Sequence, residues 1–479
     1  MSSQSKKITF DTASLFTAKV ISLLLGLVRL KYIAIYLGVG TFGIYTFATY
    51  FTAMFGLLFD LGLVQIITRD IAADRSRTGE YVLNGLLLKG VLFVGTGFVI
   101  AFATGLSHFN SVTNWAITFS VLITAVNSST LVFTGAFQAH RKMQLVSMIT
   151  VATDFSTSVA VIILLILGYG LFGLLVGSAI ASMLILAVSY FIYYHMYGSM
   201  RQKSNMSLWG YLLNEGYPAA LGALGYVLYM YLSSTLLKYL KGDEAVGFYN
   251  AAFKIISILT VVPMSFTQVI YPFFSELYNK EKDKLSSVLE ISVRYMLVIS
   301  IPMALGTIFV AGKLIPVFFT RAFMPAVLPL QILIVSSMFG FPNLVLYTFF
   351  PAINRQRFTM VATVPTGIFV AVFNLLLIPH YGIVIPCLSL VLAEVIVFSA
   401  ACLYARHLGM GLNLVRLFWK PILSCLPMAI LLYVLSSFSV FLQVGGAIVT
   451  YMIAFYFFRG ILHEDRVILE RILPSPIKK

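Results

Sequence analysis

The chain has 479 residues, of which 60% are hydrophobic and only 10% are charged, and its mean hydropathy is +0.96. Soluble domains average about 45–50% apolar and about 25% charged residues, so this composition excludes an ordinary soluble protein. The net charge of +15 would suit a nucleic-acid partner, but no basic run is interleaved with aromatic residues, so we expect no nucleic acid.

Long continuous apolar runs, such as 151–167 and 171–188, predict membrane-spanning helices. The strands of a membrane barrel would instead alternate in polarity over segments of about 10 residues. Each helix needs about 20 apolar residues to cross the bilayer. The sequence therefore predicts an all-α polytopic membrane protein with about fourteen transmembrane helices, at 13–36, 43–67, 83–106, 113–137, 146–168, 171–195, 210–236, 246–272, 288–311, 324–350, 358–378, 382–404, 418–438 and 440–458.

Lysine and arginine are divided unequally between the segments that connect these helices. With the N-terminus in the cytoplasm, the inner segments hold 22 of them, and the outer loops hold only Lys238, Lys241, Lys313 and Arg321. Positive residues are enriched on the cytoplasmic side of membrane proteins. We therefore predict a multi-pass protein of the cell membrane with an even number of spans and both termini cytoplasmic.

Two junctions share a short motif. Residues 36–48, after the first span, and 239–251, after the seventh, both contain Gly-x-Tyr, which an alanine follows at the third position, Ala48 and Ala252. Gly43 corresponds to Gly247 with an offset of 204 residues. The junctions at Tyr169 and Tyr381 match with a similar offset. Six spans per repeat keep the same topology, which predicts two parallel six-helix bundles.

This repeat divides the chain into three predicted domains. An N-terminal six-helix lobe covers 1–200 and a C-terminal six-helix lobe covers 201–410. Two additional helices and a basic cytoplasmic tail cover 411–479.

Motifs for catalysis, cofactors or metals are missing from the sequence. It has no phosphate-binding glycine loop and no paired histidine ligands, so we expect neither an enzyme nor a bound cofactor or metal. The cysteines Cys387, Cys402 and Cys425 all lie in apolar stretches and form no disulfide framework.

Ionisable side chains at membrane depth are the candidates for function, because they are costly there and usually face a cavity or a partner. Lys254 lies about 12 Å into its span at 1.5 Å per residue, which is too deep for easy snorkelling. We predict that it lines a water-filled cationic cavity, together with Arg29, Lys19 and Arg294. The candidates for counter-ions or proton carriers are Asp60, Asp154, Glu215 and Glu394.

Two polar stripes support such a cavity, since each falls on one face of a helix that turns about 100° per residue. They consist of Lys19, Ser22, Gly26 and Arg29 on the first span, and of Gly247, Asn250, Lys254 and Ser257 on the eighth. Three alternatives stay open: Lys89 and Arg29 could snorkel, Glu290 could pair with Arg294, and the small residues could serve only close helix packing.

Several degenerate motifs, in a fixed order, carry a family resemblance. They lie at 29–38 followed by 43–45, and at 60–63, 68–72, 133–138, 246–252, 271–275 and 374–382. With these motifs the chain resembles the multidrug/oligosaccharidyl-lipid/polysaccharide exporter superfamily, and within it the Wzx-type polysaccharide flippases. The resemblance implies two six-helix bundles that face a central cavity and work by alternating access.

The same resemblance implies a substrate, namely an isoprenoid (di)phosphate-linked oligosaccharide that is moved from the cytoplasmic to the outer leaflet for cell-surface polysaccharide biosynthesis. Lys254, Arg29, Lys19 and Arg294 would then offset the charge of its phosphate. Membrane lipids, and a glycan polymerase or glycosyltransferases, are the further partners to consider. The alternatives are a cation-coupled multidrug exporter, a lipid II flippase and a non-transporting scaffold for glycan assembly.

Overall fold

The computed structural model describes the backbone of residues 3–107, 109–200 and 204–458. Within these ranges the chain is helical and contains no strand. The predicted basic tail, 459–479, and the predicted inner-loop residues Arg201 and Lys203 lie outside the described residues.

Fifteen α-helices and three short 3₁₀ turns make up the described chain. The first seven α-helices are α1 (Ser3–Asp60), α2 (Leu63–Ala73), α3 (Thr78–Ser107), α4 (Ser111–Ala139), α5 (Met143–Ile166), α6 (Gly170–Tyr197) and α7 (Met206–Lys241). The next eight are α8 (Asp243–Leu259), α9 (Val261–Lys280), α10 (Lys282–Phe318), α11 (Val327–Ala352), α12 (Arg357–Tyr381), α13 (Val384–His407), α14 (Leu414–Val434) and α15 (Val440–Phe457).

Twelve helical segments of the described chain are long and apolar enough to cross a membrane. One of them, Thr17–Ala73, has 57 residues, which is about 85 Å of helix and therefore enough for two crossings. Its backbone is non-helical at Gly38, where the two crossings are divided. The predicted span at 210–236 corresponds to α7, which has 36 residues and is not one of these twelve segments. The structure thus confirms the polytopic all-α fold.

Two predicted spans are broken rather than continuous. The second span is interrupted at Leu61 and Gly62, which separate α1 from α2. Both residues have a left-handed backbone conformation, with φ angles of 44° and 75°. The eighth is interrupted at Thr260, between α8 and α9. The hydropathy pattern missed both breaks because a one- or two-residue change of backbone direction leaves composition unchanged.

Large apolar side chains project outward, as expected for helices that lipid surrounds. On α3, Phe98, Phe102 and Leu106 are 72%, 71% and 67% exposed. A soluble protein rarely exposes apolar patches of this kind. The outward faces therefore agree with the membrane location inferred from composition.

The chain divides into two compact units. Unit 1 comprises Met1–Asn250 with Phe318–Ala322, and unit 2 comprises Ala251–Val317 with Phe323–Lys479. Unit 1 therefore contains α1 to α7 and the start of α8. The predicted domain limits at 200/201 and 410/411 follow the sequence repeat, and they stay predictions.

Within each unit the same pattern of neighbours recurs. In unit 1, α6 packs against α4 and α5, and α2 packs against α4. In unit 2, α13 packs against α11 and α12, and α9 packs against α11. The predicted repeat makes these helices counterparts, so both repeats build their bundles with the same helix partners.

The predicted motif repeat has a direct structural counterpart. A Cβ atom on Gly43 would lie 2.0 Å from the carbonyl oxygen of Asp243, and one on Gly247 would lie 2.5 Å from that of Val39. The offset of 204 residues relates Gly43 to Gly247 and also Val39 to Asp243, so the contact is reciprocal. Self-complementary contacts of this type are the signature of two-fold related elements.

The two C-terminal helices, α14 and α15, form a hairpin on unit 2. Lys313 on α10 donates hydrogen bonds to the carbonyl oxygens of Ser436 and Phe438, and the Tyr451 hydroxyl donates to that of Val298 at 2.9 Å. The hairpin is therefore attached to α10 at two separate points.

Candidate functional site

A polar cavity of about 220 Å³ lies inside unit 1, among α1, α4, α5 and α6. One charged residue of each sign and several hydroxyl and amide side chains line it. The lining residues are Arg29, Ile33, Tyr45, Ile123, Asn127, Thr153, Asp154, Thr157, Val161, Leu174, Ser178 and Ser182.

Arg29 and Asp154 bring a predicted cation and a predicted counter-ion together in this cavity. The guanidinium Nη2 lies 3.8 Å from the carboxylate Oδ1, and the two side chains are 24% and 30% exposed. This distance is an ion pair but is too long for a hydrogen bond. The Arg29 fork therefore keeps donors that can turn toward an anionic group in the cavity.

The pair is positioned by the packing of α1 against α5. Near it, the Ser158 hydroxyl on α5 donates to the backbone oxygen of Leu25 on α1, at 3.4 Å. Ile33, one turn beyond Arg29 on the same face, is 3% exposed. These contacts orient α1 so that the face with Arg29 lies toward the cavity. This orientation argues against snorkelling of Arg29 to the membrane surface.

Lys19 lies on α1 ten residues before Arg29, and it is half-buried. It is not among the residues that line the cavity. Of the other two residues in its predicted stripe, Gly26 has no atom within 4 Å of its Cβ position and the Ser22 oxygen is buried. The stripe thus contributes one residue, Arg29, to the cavity of unit 1.

Asp60 is paired with Lys89, whose ammonium lies 2.6 Å from its carboxylate and is almost fully buried. The same ammonium donates to the backbone oxygen of Ser128 at 2.9 Å. Snorkelling of Lys89, one alternative from the sequence, is therefore wrong. Lys89 instead binds α3 to the end of α1, through Asp60, and to the middle of α4, through Ser128.

Glu215 lies on α7, outside the cavity, where its exposed side chain faces α2. It accepts a hydrogen bond of 3.1 Å from Arg69, whose guanidinium also donates to Asp70 and to the hydroxyl of Tyr211. This exposed network links α2 to α7, with Glu215 paired to Arg69.

In unit 2 the three predicted site residues have different surroundings. Lys254 on α8 is exposed, whereas Arg294 on α10 and Glu394 on α13 are 8% and 5% exposed. The Asn343 amide donates to the Glu394 carboxylate at 2.6 Å and to its backbone oxygen at 2.9 Å. Glu394 is therefore held in the core of unit 2 by α11.

The stripe predicted around Lys254 is divided in the structure. Gly247 and Asn250 are buried against α1, where the Asn250 amide donates to Thr46 at 2.9 Å, and only Lys254 and Ser257 remain accessible. For Gly247 and Asn250 the cavity prediction is wrong, and close packing, which the sequence left open, is their role.

The sequence did not identify the uncharged polar residues that line the cavity. Asn127 on α4, Thr153 and Thr157 on α5, and Ser178 and Ser182 on α6 all line it. Hydroxyl residues are common in membrane helices and carry no signal alone. The one usable signal was their spacing of four residues on α5 and on α6, which places each pair on one helix face.

Comparisons with known proteins agree with this architecture. A family model described as "Polysaccharide biosynthesis protein" matches residues 8–278, which is more than half of the chain, and a second, MatE, matches residues 218–377. An uncharacterized membrane protein of Methanocaldococcus jannaschii is 30% identical over 175 residues, 36% of this chain and 34% of that protein. The probable flippase AglR of Haloferax volcanii is 21% identical over 316 residues, 65% of either chain.

The chain thus spans about one third of the length of the first curated relative and just under two thirds of the length of the second. Two solved structures cover more of the chain and share its fold. The lipid II flippase MurJ, in an inward closed conformation, superposes with a TM-score of 0.76 at 16% identity over 93% of this chain and 98% of its own. An inward-facing multidrug resistance MATE family transporter superposes with 0.68 at 15% identity, over 81% and 94%.

The named relatives are flippases and transporters, in agreement with the prediction that the chain is not an enzyme. The profile match over more than half of the chain, together with the fold, settles the family. The chain belongs to the polysaccharide biosynthesis protein family, within the multidrug/oligosaccharidyl-lipid/polysaccharide exporter superfamily.

Proposed function

We propose that this protein is a flippase that moves an isoprenoid (di)phosphate-linked oligosaccharide from the cytoplasmic to the outer leaflet of the cell membrane. The observation that carries the proposal is Arg29, with its partner Asp154, in a cavity lined by hydroxyl and amide groups. Family membership and the similarity to a probable flippase support it.

The chemistry of such a substrate fits these residues. Its lipid tail stays in the bilayer, whereas its phosphate carries a charge that is very costly at low dielectric. Arginine offers phosphate a planar fork of donors, and lysine offers a point charge. Hydroxyl and amide side chains, such as those of Thr157 and Asn127, match the hydroxyl groups of a glycan.

Lys254, in unit 2, is a further cation that we assign to substrate binding, as the sequence predicts. It is exposed although it lies about 12 Å into a predicted span. An exposed ammonium at that depth requires water or an anion nearby, because hydrocarbon solvates it poorly. Arg294, Lys19 and the acidic residues Asp60, Glu215 and Glu394 are assigned supporting roles as further cations and counter-ions.

Export of surface glycan by a flippase-deficient host tests the proposal. We expect Lys254→Ala to abolish export at near-normal protein abundance and Lys254→Arg to retain part of it, because the charge is kept while the geometry changes. Lys280→Ala is the matched control, since Lys280 pairs with Glu276 on an exposed surface of α9. Full export by Lys254→Ala would remove this lysine from the proposed site.

The same host series separates the alternative substrates. Rescue of cells that lack peptidoglycan flipping would favour a lipid II flippase, and drug resistance on expression would favour a multidrug exporter. Normal glycan export without the cavity charges would favour a non-transporting scaffold. A glycan polymerase or glycosyltransferases remain proposed partners, and co-purification from cells that make the glycan would test them.

A further inference from the structure

Four helix ends of unit 1 meet on the side that the charge distribution predicts to be cytoplasmic. They are the start of α3, the end of α4, the start of α5 and the end of α6. His140, between α4 and α5, shares a hydrogen bond of 2.9 Å with the Thr78 hydroxyl on α3. Its ring also lies against that of Tyr197 on α6, with the two centroids 4.5 Å apart. His140 is therefore the common contact of these helix ends.

Uncompensated cations surround His140. Burial lowers the pKa of its imidazole, and Arg75, in the turn before α3, and Lys142, at the start of α5, lower this pKa further. Both cations are exposed, and neither forms an ion pair with a carboxylate of the described chain. The nearby Arg77, by contrast, pairs with Glu80 at 2.8 Å. The positive charge around His140 thus has no anionic partner within the described residues.

Unused hydrogen-bond donors lie at the same place. The hydroxyl oxygen of Tyr197 is buried, and it has no hydrogen-bond partner in the described part of the chain. Helix α5 begins at Met143 without a side-chain cap, because the lysine at its N-cap position, Lys142, has no acceptor atom. The free N–H groups at the start of a helix favour an anion. An anion here would therefore find cations and donors together.

The second repeat contains the same turn without this cluster. The turn between α11 and α12 is closed by the same two backbone hydrogen bonds as the turn between α4 and α5. There His140 corresponds to Ile353, which is 3% exposed in the core of unit 2. Arg141 corresponds to Asn354, and their φ angles of 58° and 60° are both left-handed, a conformation that asparagine tolerates better than arginine. The turn geometry therefore explains neither the histidine nor the arginine of unit 1.

Aromatic side chains place the cluster at the membrane surface. Tyr190 and Tyr194, within two turns of Tyr197 on α6, are each 48% exposed. Tyrosine is enriched at the level of the lipid headgroups. The phosphates of anionic lipids lie at that level and attract basic side chains on the cytoplasmic side. A lipid headgroup can therefore reach these residues.

We propose that this cluster binds the phosphate of an anionic phospholipid of the cytoplasmic leaflet. Arg75, Arg141 and Lys142 compensate the charge of the phosphate, and His140 and the Tyr197 hydroxyl donate hydrogen bonds to its oxygens. The bound headgroup ties the four helix ends together and stabilises unit 1. None of these residues lines the polar cavity of unit 1, so lipid binding here does not depend on the proposed transport function.

Lipid titrations of the purified full-length protein in a neutral detergent test this site. We expect phosphatidylglycerol to raise the midpoint of thermal unfolding much more than zwitterionic phosphatidylcholine does, because a ligand that binds only the folded chain stabilises it. In Arg75→Gln/Lys142→Gln, the phosphatidylglycerol concentration that gives half of the full shift should rise at least about tenfold. An unchanged concentration would overturn the proposal.

A matched variant separates a defined site from general surface charge. Arg355→Gln/Arg357→Gln also removes two exposed cations, from the counterpart turn between α11 and α12, where Ile353 takes the place of His140. We expect its half-maximal lipid concentration to stay close to that of the parent. Equal weakening by the two double variants would mean attraction to charge without a site, which also overturns the proposal.

Tyr197→Phe keeps the site testable if loss of the two cations prevents folding. The Tyr197 hydroxyl has no partner among the described residues, so its removal breaks no hydrogen bond and should leave the lipid-free midpoint unchanged. We expect the half-maximal phosphatidylglycerol concentration to rise, because the phosphate loses a donor. A full lipid response in Tyr197→Phe would contradict the assigned geometry.

Inorganic phosphate distinguishes a lipid headgroup from a free anion. Because the lipid tail holds the headgroup at the protein surface, we expect inorganic phosphate at the same concentration to give almost no shift in the unfolding midpoint of the parent. A shift as large as that with phosphatidylglycerol would show that the cluster takes a free anion, and the lipid proposal would be wrong.

Discussion

Lys89 and Asp60 form an ion pair of 2.6 Å whose two partners are buried to very different degrees. The Lys89 side chain is 2% exposed, whereas that of Asp60 is 33% exposed. The lysine therefore depends on its partner far more than the aspartate does. Because Asp60 immediately precedes the left-handed break at Leu61 and Gly62, the pair also holds the end of α1.

Removal of either partner should have unequal effects. We expect Asp60→Asn to destabilise the protein by about 3–5 kcal/mol, because it leaves a buried cation without its carboxylate. Lys89→Met should cost less, since it leaves a carboxylate that water can reach. The midpoints of thermal unfolding in detergent measure both.

The double variant Lys89→Met/Asp60→Asn controls for the loss of charge. It should recover most of the stability that Asp60→Asn loses, because no unpaired charge remains buried. Equal destabilisation by both single variants would contradict the asymmetry.

The Arg29–Asp154 pair predicts a graded loss of transport. We expect Arg29→Ala to lower glycan export at least about tenfold, because a hydrogen bond to a charged group is worth about 1.5–3 kcal/mol. Arg29→Lys should lose less, since it keeps the charge without the fork. Surface glycan normalised to membrane protein level is the measurement, and an unimpaired Arg29→Ala would exclude this arginine from the substrate site.

Gly43 predicts a strict limit on side-chain size. Gly43→Ala would place its Cβ 2.0 Å from the Asp243 oxygen, so we expect it to reduce the disulfide yield of an engineered Gly40→Cys/Glu244→Cys pair. Gly26→Ala is the control on the same helix, because its Cβ would meet no atom within 4 Å. Equal yields in both backgrounds would show that the contact between Gly43 and Asp243 tolerates a methyl group.

His140 predicts acid sensitivity. It lies between α4 and α5, and burial lowers the pKa of its imidazole below 6.5, with Arg75 and Lys142 adding to the effect. The unfolded chain then binds more protons below about pH 6.5, so stability is lost as the pH falls through that value. Unfolding midpoints between about pH 5 and pH 7.5 should fall less in His140→Gln than in the parent, whereas equal slopes would exclude His140 as a source.

The charge distribution predicts the topology. Reporter fusions at Ser76 and Asn205 should report the cytoplasm, and fusions at Phe109 and Gly242 should report the outside. Helix α7 separates Asn205 from Gly242, so a common location for these two would require that it does not cross the membrane.

Composition and hydropathy were sufficient to predict the all-α membrane fold, because apolar length alone decides whether a helix can span a bilayer. The motif repeat also predicted which helices are counterparts. The roles of single ionisable residues were harder to predict, because the depth of a residue along a helix does not reveal what its side chain faces. Asp154 was therefore identified as an ionisable residue inside the membrane. For its partner Arg29 the sequence left two locations open, a cavity and the membrane interface.

The sequence by itself determined the class of protein, the approximate positions of its membrane spans and the identity of the charges that must be compensated. Only the tertiary structure decided the pairings, namely Lys89 with Asp60, Arg29 with Asp154 and Gly43 with Gly247. The reason is physical. Hydropathy is a property of each residue and its neighbours in the chain, whereas an ion pair or a close glycine contact depends on which helix faces meet across separations of up to 204 residues.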